Sequence, residues 1–179
     1  MIYLEWIFSV IGKLLEKIIG ARIVSYISKY DLVSPSQHGF FKGRSTETAI
    51  SSLLSYVEDS FDRGLGVGSV FVDLTKAFDT VNIDILLWRL NECGFRGTMY
   101  EWLRSYLLNR IQRVNINGTL SDPLHVNCGV PQGSVLGPLL FLIYIEPVFR
   151  IGLKSNLIVY ADDMTIMNNS IQFKELLNS

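Results

Sequence analysis

The chain has 179 residues, of which 49% are hydrophobic and 18% are charged, and its formal net charge is −1. This composition provides a hydrophobic core for one domain and excludes an intrinsically disordered chain, and the near-neutral charge gives no nucleic-acid signature for the chain as a whole. Its two cysteines and two histidines have no metal-ligand spacing, which argues against a zinc motif and favours a reducing, intracellular environment.

The first third of the chain is predicted to form two helices. Between residues 9 and 30 apolar side chains recur every three or four positions, which predicts an amphipathic helix that is interrupted near Gly20. Residues 34–45 are rich in Ser, Pro and Gly and are predicted to form a loop, and a second helix is predicted over residues 46–61.

A strand and a third helix are predicted next. Residues 69–74, "SVFVDL", are β-branched and aromatic and predict a strand that ends at Asp73. The glycine-rich residues 64–68 precede this strand instead of following one, so they are interpreted as a flexible connection and not as a phosphate-binding loop. Asn82 and Gly94 are predicted to begin and end the helix that follows.

The middle of the chain carries a helix, a hairpin and a strongly apolar segment. Thr98 and Glu101 have the spacing of a capping box, which predicts the start of a helix. Asn117 and Gly118 stand between two alternating runs and predict a hairpin turn. The apolar residues 135–145 are too few to cross a membrane and are predicted to form a buried helix.

A second hairpin is predicted near the end of the chain. In residues 157–167, "LIVYADDMTIM", alternating apolar runs flank Asp162 and Asp163, which predicts two antiparallel strands with the acids at or near the turn. On their own the two acids are also typical of a surface turn. The irregular order of helices and strands favours an α+β fold with an antiparallel sheet backed by helices.

Asp73, Asp162 and Asp163 all lie at predicted strand ends. If the strand and the hairpin are neighbours in one sheet, three carboxylates meet at one edge, and their repulsion calls for divalent cations. Mg²⁺ prefers one or two carboxylates with water and phosphate oxygens, and two ions about 4 Å apart can stabilise the attacking and leaving oxygens of a phosphoryl displacement. We therefore predict a site for two Mg²⁺ ions, with Mn²⁺ as an alternative ion. A surface hairpin in an unrelated protein is the alternative if the two elements lie apart.

Four ordered motifs resemble the reverse transcriptase of non-LTR (LINE-type) retrotransposons. They are "SQHGFFKGRSTETAI" (36–50), "VFVDLTKAFDTV" (70–81), "GVPQGSVLGPLLFLIYI" (129–145) and "VYADD" (159–163), and "FSVIGKLLEKII" (8–19) is similar as well. The resemblance implies a right-hand polymerase fold. Partial fingers with a helical lead-in would occupy residues 1–68, and a palm that is truncated after the catalytic hairpin would occupy residues 69–179.

The resemblance also implies roles for individual side chains. Asp73 and Asp162 would be the principal metal ligands, with Asp163 in a supporting role. Phe78 would be an aromatic gate that packs against the sugar and excludes a 2′-hydroxyl by its volume, and a core side chain is the alternative for this residue. Asp79 is predicted to cap the following helix in preference to supporting the site.

Further residues would hold the nucleotide and the primer. Gln132 and Gly133 would line the nucleotide pocket, where a glycine lets the backbone approach the incoming base pair closely. Lys42 and Arg44, in a glycine-flanked loop, would bind a triphosphate through charge-assisted hydrogen bonds, with solvated loop charges as the alternative. Tyr160 would pack beside the primer end.

The implied activity is that of an RNA-directed DNA polymerase, which transfers a nucleotide from a dNTP to the 3′-hydroxyl of a DNA primer on an RNA template. We expect it to act inside the cell, in the nucleus or the cytoplasm, without a membrane. The chain ends soon after the acidic pair, so we expect a fragment without the family's endonuclease and thumb regions, and with weak or no activity alone. A polymerase of group II intron or retron type and a non-catalytic, nucleic-acid-binding remnant are the alternatives.

Overall fold

The computed structural model describes residues 10–171 and residue 173, and these divide into two compact units. The helical unit comprises the described residues of Met1–Leu32 and Lys76–Ile145. The sheet unit comprises the described residues of Val33–Thr75 and Glu146–Ser179. Each unit is therefore assembled from two separate segments of the chain.

Helices and strands follow one another without regular alternation, as predicted for an α+β fold. The helices are α1 (Val10–Lys29), α2 (Thr46–Asp62), α3 (Ile83–Glu92), α4 (Gly97–Leu107) and α5 (Gly137–Ile145), and a short 3₁₀ helix spans Glu146–Arg150. The strands are β1 (Gly66–Val72), β2 (Arg110–Gln112), β3 (Asn115–Ile116), β4 (Thr119–Leu120), β5 (Leu124–Val126), β6 (Asn156–Tyr160) and β7 (Asp163–Ser170).

The sheet unit is built on a three-stranded antiparallel sheet in the order β1-β7-β6, so the predicted hairpin of β6 and β7 is confirmed. Residues 66–68 belong to β1 because they pair with residues 168–170 of β7, so the prediction of a flexible connection is wrong for them. The apolar positions of the alternating strands form the core of this unit. Leu157, Val159 and Met164 are buried there, and Val72, Leu74, Val148, Phe149 and Ile166 pack against them.

Helix α2 of the sheet unit starts where the sequence predicts, because Ser45 and Thr48 form a capping box. The Thr48 backbone N–H donates to the Ser45 hydroxyl at 3.4 Å, and the Ser45 backbone N–H donates to the Thr48 hydroxyl at 2.9 Å. These two bonds satisfy donors that the first helical turn cannot satisfy itself. The helix packs against β1 and β6 and thereby covers the sheet.

Helix α1 of the helical unit runs through Gly20 without interruption, so the predicted break is wrong. Buried Ile19, Ile23 and Ile27 hold the helix in place, and their packing outweighs the helix penalty of one glycine, which is about 1 kcal/mol. The predicted amphipathic pattern is also wrong in part. Glu16 is only 2% exposed and accepts hydrogen bonds from the Tyr106 hydroxyl and the Val135 backbone N–H.

In the rest of this unit, two local predictions are confirmed and one is wrong. Asn82 caps α3 by accepting a hydrogen bond from the Ile85 backbone N–H at 3.0 Å. Asn117 and Gly118, with φ angles of 52° and 86°, form the turn between β3 and β4. The capping box is wrong, because α4 already begins at Gly97 and Thr98 lies inside its first turn. No helix among residues 10–171 combines the length and hydrophobicity needed to cross a membrane.

Candidate active site

The turn between β6 and β7 presents the acidic pair. Tyr160 pairs with Asp163, so Ala161 and Asp162 are the two central residues of the turn. Ala161 has a φ of 60°, whereas Asp162 is not in the left-handed region, and this pattern is that of a type II′ turn, which favours glycine at its first central position. An alanine in the left-handed region costs about 1 kcal/mol, so neighbouring contacts must hold this turn.

The sheet brings Asp73 to the same edge as the acidic pair. The last pair between β1 and β7 is Val72 with Met164, and extending this antiparallel register by one residue sets Asp73 opposite Asp163. The condition set from the sequence, that the strand and the hairpin are neighbours in one sheet, is therefore met. Asp73 and Asp163 are exposed, and Asp162 is half-buried in the turn.

The chemistry of these acids fits hard divalent cations. Among the contacts of the described residues, none of the carboxylates of Asp73, Asp162 and Asp163 takes part in a hydrogen bond or an ion pair, so their oxygens can serve as ligands. Within residues 10–171, no group of three or more Asp, Glu, His or Cys side chains could hold a metal ion. A group of three is not required for Mg²⁺, which binds one or two carboxylates and completes its shell with water and phosphate oxygens.

The loop before α2 supports the acidic turn through Gln37, which is 1% exposed. Its Oε1 accepts hydrogen bonds from the backbone N–H groups of Gly39 at 2.7 Å and Ala161 at 3.0 Å, and its Nε2 donates to the Ala161 carbonyl at 3.2 Å. Backbone bonds from His38 N–H to the Val159 carbonyl and from Val159 N–H to the Ser36 carbonyl fix the same loop to β6. Sequence reasoning missed Gln37, because a single glutamine in a loop carries no distinctive signal.

Arg44 is engaged with the backbone of this loop. Its Nη1 donates to the carbonyl oxygens of Ser34 at 2.5 Å and Gln37 at 2.6 Å, and its guanidinium lies 4.8 Å from the centre of the Phe41 ring. Burial lowers the pKa of Arg44, and the nearby Glu146 carboxylate acts in the opposite direction. Lys42 is exposed. Arg44 therefore stabilises the loop through these hydrogen bonds, and its predicted binding of a triphosphate stays a prediction.

Tyr160 is the last residue of β6, next to the turn, and its side chain is 37% exposed. The sheet unit contains six of the nine site residues that are predicted from the sequence. They are Lys42, Arg44, Asp73, Tyr160, Asp162 and Asp163.

The other three predicted residues, Phe78, Gln132 and Gly133, lie in the helical unit. The Val130 backbone N–H donates to the Phe78 carbonyl at 2.9 Å, and this bond brings the segment after β1 next to the loop before α5. Gln132 Nε2 donates to Asp79 Oδ1 at 2.6 Å, so the prediction that Asp79 caps the following helix is wrong, and Asn82 takes that role. Phe78 is half-buried, with its ring centre 4.4 Å from that of Phe141.

A buried cation, which sequence reasoning also missed, holds the loop that carries Gln132 and Gly133. Arg110 is 9% exposed, its Nε donates to the Leu107 carbonyl at 2.9 Å, and its Nη2 donates to the carbonyls of Cys128 and Gly129. Burial lowers the pKa of Arg110. An arginine at the start of a short strand gives no indication in the sequence of the carbonyl groups that it contacts.

The fold is similar to a solved polymerase structure. Telomerase from Candida albicans, in complex with the TWJ fragment of telomeric RNA, matches 92% of this chain and 31% of that chain with a TM-score of 0.64 and 11% identity. This likeness, together with the antiparallel sheet and its covering helices, defines the class as an α+β domain with the palm-like fold of polymerases.

The chain belongs to the reverse transcriptase (RNA-dependent DNA polymerase) family, whose match covers residues 6–178. It is 31% identical over 171 residues to the Drosophila melanogaster protein named "Probable RNA-directed DNA polymerase from transposon BS", which covers 92% of this chain. The RNA-directed DNA polymerase from mobile element jockey of the same organism is 27% identical over 167 residues, or 89% of this chain. The predicted resemblance to non-LTR retrotransposon polymerases is confirmed.

The chain spans 19% of the length of the transposon BS protein and 18% of the jockey protein. Reverse transcriptases generally use divalent metal ions, in agreement with the exposed carboxylates at the sheet edge.

Proposed function

We propose that this chain carries the nucleotidyl-transfer site of an RNA-directed DNA polymerase from a non-LTR retrotransposon. The observation that carries the proposal is the register of β1 and β7, which sets Asp73 at the sheet edge where the β6–β7 turn presents Asp162 and Asp163. In the proposed reaction the 3′-hydroxyl of a DNA primer attacks the α-phosphate of a dNTP that is paired with an RNA template. Pyrophosphate is the leaving group.

The acids of the sheet edge would hold the metal ions. Asp73 and Asp162 would each supply a carboxylate oxygen, and Asp163 would support them with its negative charge. Two Mg²⁺ ions, or Mn²⁺ in their place, would stabilise the developing charge on the attacking and leaving oxygens when bound. Since phosphoryl transfer asks little covalent chemistry of the protein, the contribution of these residues is positioning and charge.

Further residues that the sequence singled out would hold the nucleotide. Phe78 would exclude a 2′-hydroxyl, and Gln132 and Gly133 would line the pocket for the incoming base pair. Lys42 would meet the triphosphate. Arg44 uses Nη1 for the loop carbonyls in the part of the chain that the structure describes, so its remaining N–H groups would be the ones offered to a phosphate.

Tyr160, at the end of β6, would pack beside the primer end. The assignment of residues 1–68 to partial fingers and 69–179 to the palm is part of this proposal. The two compact units follow the chain differently, since the segment Lys76–Ile145 lies in the helical unit. We place the activity inside the cell, in the nucleus or the cytoplasm.

Single-nucleotide addition to poly(rA)/oligo(dT) with the chain in excess over primer tests the proposal, because excess protein offsets a weak grip on the duplex. We expect Asp162→Ala to reduce addition on the order of hundredfold, as for loss of a group that stabilises transition-state charge. Asp122→Ala, which removes an exposed acid of the helical unit, should leave it unchanged. Addition that survives Asp162→Ala, or that falls as far in Asp122→Ala as in Asp162→Ala, would contradict the proposal.

A further inference from the structure

We propose that Gln37 is a positioning residue that fixes the position of Asp162. Its side-chain amide forms two hydrogen bonds with the backbone of Ala161, and we call this pair of bonds the clamp. This inference rests on the proposed function, since it assigns Gln37 a part in the same nucleotidyl-transfer site. Gln37 does not touch the reacting atoms in this account. It acts through Ala161, the residue that immediately precedes Asp162.

The side-chain amide of Gln37 satisfies both polar backbone groups of Ala161. Oε1 accepts from the Ala161 N–H at 3.0 Å, and Nε2 donates to the Ala161 carbonyl at 3.2 Å. The Ala161 carbonyl belongs to the peptide plane that leads into Asp162, so the second bond fixes the orientation of that plane. A side chain that held only one of the two groups would leave the plane able to turn.

The clamp itself is rigid. Gln37 is 1% exposed, and its Oε1 also accepts from the Gly39 N–H at 2.7 Å, which orients the amide from its own loop. A Cβ atom at Gly39 would lie only 2.3 Å from the Ala161 nitrogen, so the loop approaches the turn as closely as a glycine allows. The amide therefore has little freedom to change its partners.

The turn needs such a clamp because its backbone is unfavourable for the residue it holds. Ala161 adopts a φ of 60° at a position where glycine is favoured, and it is 5% exposed, so water cannot readily replace the amide as its partner. Without Gln37 the turn could relax toward other geometries and move Asp162. Sites that store backbone strain in this way are often functional.

Hydrogen exchange of the Ala161 amide, followed by NMR, tests the clamp directly. In Gln37→Met, which keeps the length of the side chain and removes its amide, we expect exchange at Ala161 to become about tenfold faster relative to Met167, an amide in the middle of β7. Gln37→Glu should also accelerate exchange at Ala161, because its carboxylate cannot donate to the Ala161 carbonyl and would face that oxygen with a buried negative charge. Equal acceleration at Ala161 and Met167 would overturn the clamp.

Mn²⁺ binding tests whether the clamp positions Asp162. Gln37→Met should weaken the affinity of the chain for Mn²⁺ about threefold or more, since a ligand that samples several positions binds less well. The matched control is Ser60→Ala, which removes a buried hydroxyl that accepts from Asn169 Nδ2 at 2.9 Å, in the same unit but toward the other end of β7. Ser60→Ala should lower the melting temperature and leave the affinity unchanged. An equal loss of affinity in both variants would overturn the inference.

Mn²⁺ binding by Asp162→Asn distinguishes a failure of the proposed function from a failure of the clamp. If Asp162→Asn leaves Mn²⁺ affinity unchanged, the metal site is wrong, and the inference falls with it even where the exchange ratio confirms the hydrogen bonds. If Gln37→Met does not fold, Gln37→Asn replaces it, because an amide that is one methylene shorter cannot reach both groups of Ala161. It must then show the same selective acceleration at Ala161.

Discussion

Gly39 offers a sharp test of how tightly the loop is packed against the acidic turn. In Gly39→Ala the new Cβ would lie 2.3 Å from the Ala161 nitrogen and 2.8 Å from its Cα, and both are backbone atoms that cannot rotate away. Such overpacking costs about 1 to 3 kcal/mol, and the displaced turn would also weaken the bonds to Gln37 at about 1 kcal/mol each. We therefore expect the free energy of unfolding to fall by about 3 kcal/mol.

Thermal unfolding followed by circular dichroism measures this effect. For a chain of this size, about 3 kcal/mol corresponds to a melting temperature lowered by about 6 to 12 °C. The matched variant is Gly20→Ala, whose Cβ would meet side chains of the helical unit at 3.5 to 3.7 Å, which is ordinary contact.

Gly20→Ala should instead stabilise the chain by about 0.5 to 1 kcal/mol, because alanine favours the helix that runs through this position. The opposite signs of the two glycine substitutions are the prediction. A Gly39→Ala chain as stable as the unaltered one would refute the close approach of the loop to the turn.

Three further predictions concern other parts of the two units. Arg110→Met should destabilise the chain by about 3 kcal/mol in urea titrations, because it removes the hydrogen bonds to the carbonyl groups of Leu107, Cys128 and Gly129; a loss below about 0.5 kcal/mol would contradict this. Burial, and then the nearby Arg44 guanidinium, lower the pKa of His38, so the unfolded chain binds its proton more readily. Stability should therefore fall as the pH drops below about 6.5, and melting curves of His38→Gln should show a smaller loss than those of the unaltered chain. Gln132→Leu should raise the KM for dNTP in single-nucleotide addition without changing the melting temperature. Asp79→Asn still accepts the hydrogen bond from Gln132, so it should change the KM and the melting temperature only slightly.

The sequence predicts the elements whose signals are local. The acidic hairpin follows from alternation on both sides of Asp162 and Asp163. Helix α2 follows from apolar periodicity, and α3 follows from the capping residue Asn82. These features depend on residues that are close in sequence, so the local sequence pattern is enough to predict them. The prediction of an α+β fold with an antiparallel sheet follows from the irregular order of the predicted helices and strands.

Features that depend on distant partners could not be predicted in this way. Gly20 stays helical because of packing across the helical unit, and residues 66–68 become strand because β7 offers them partners about a hundred residues away. Asp79 was wrongly expected to cap a helix, since its partner Gln132 lies 53 positions further on. Gln37 was missed because Ala161 lies 124 positions away.

The central claim is that Asp73, directly after β1, and Asp162, in the turn between β6 and β7, act on the same metal ions. Titration of the chain with Mn²⁺, followed by water-proton relaxation, measures this with Asp73→Asn, Asp162→Asn and the double variant, and with Asp122→Asn as the control. We predict that each single variant loses about tenfold or more in affinity, that the double variant loses less than the product of the two, and that the control binds as the unaltered chain does. Unchanged binding by Asp73→Asn would contradict the claim, because the strand acid would then have no part in the site.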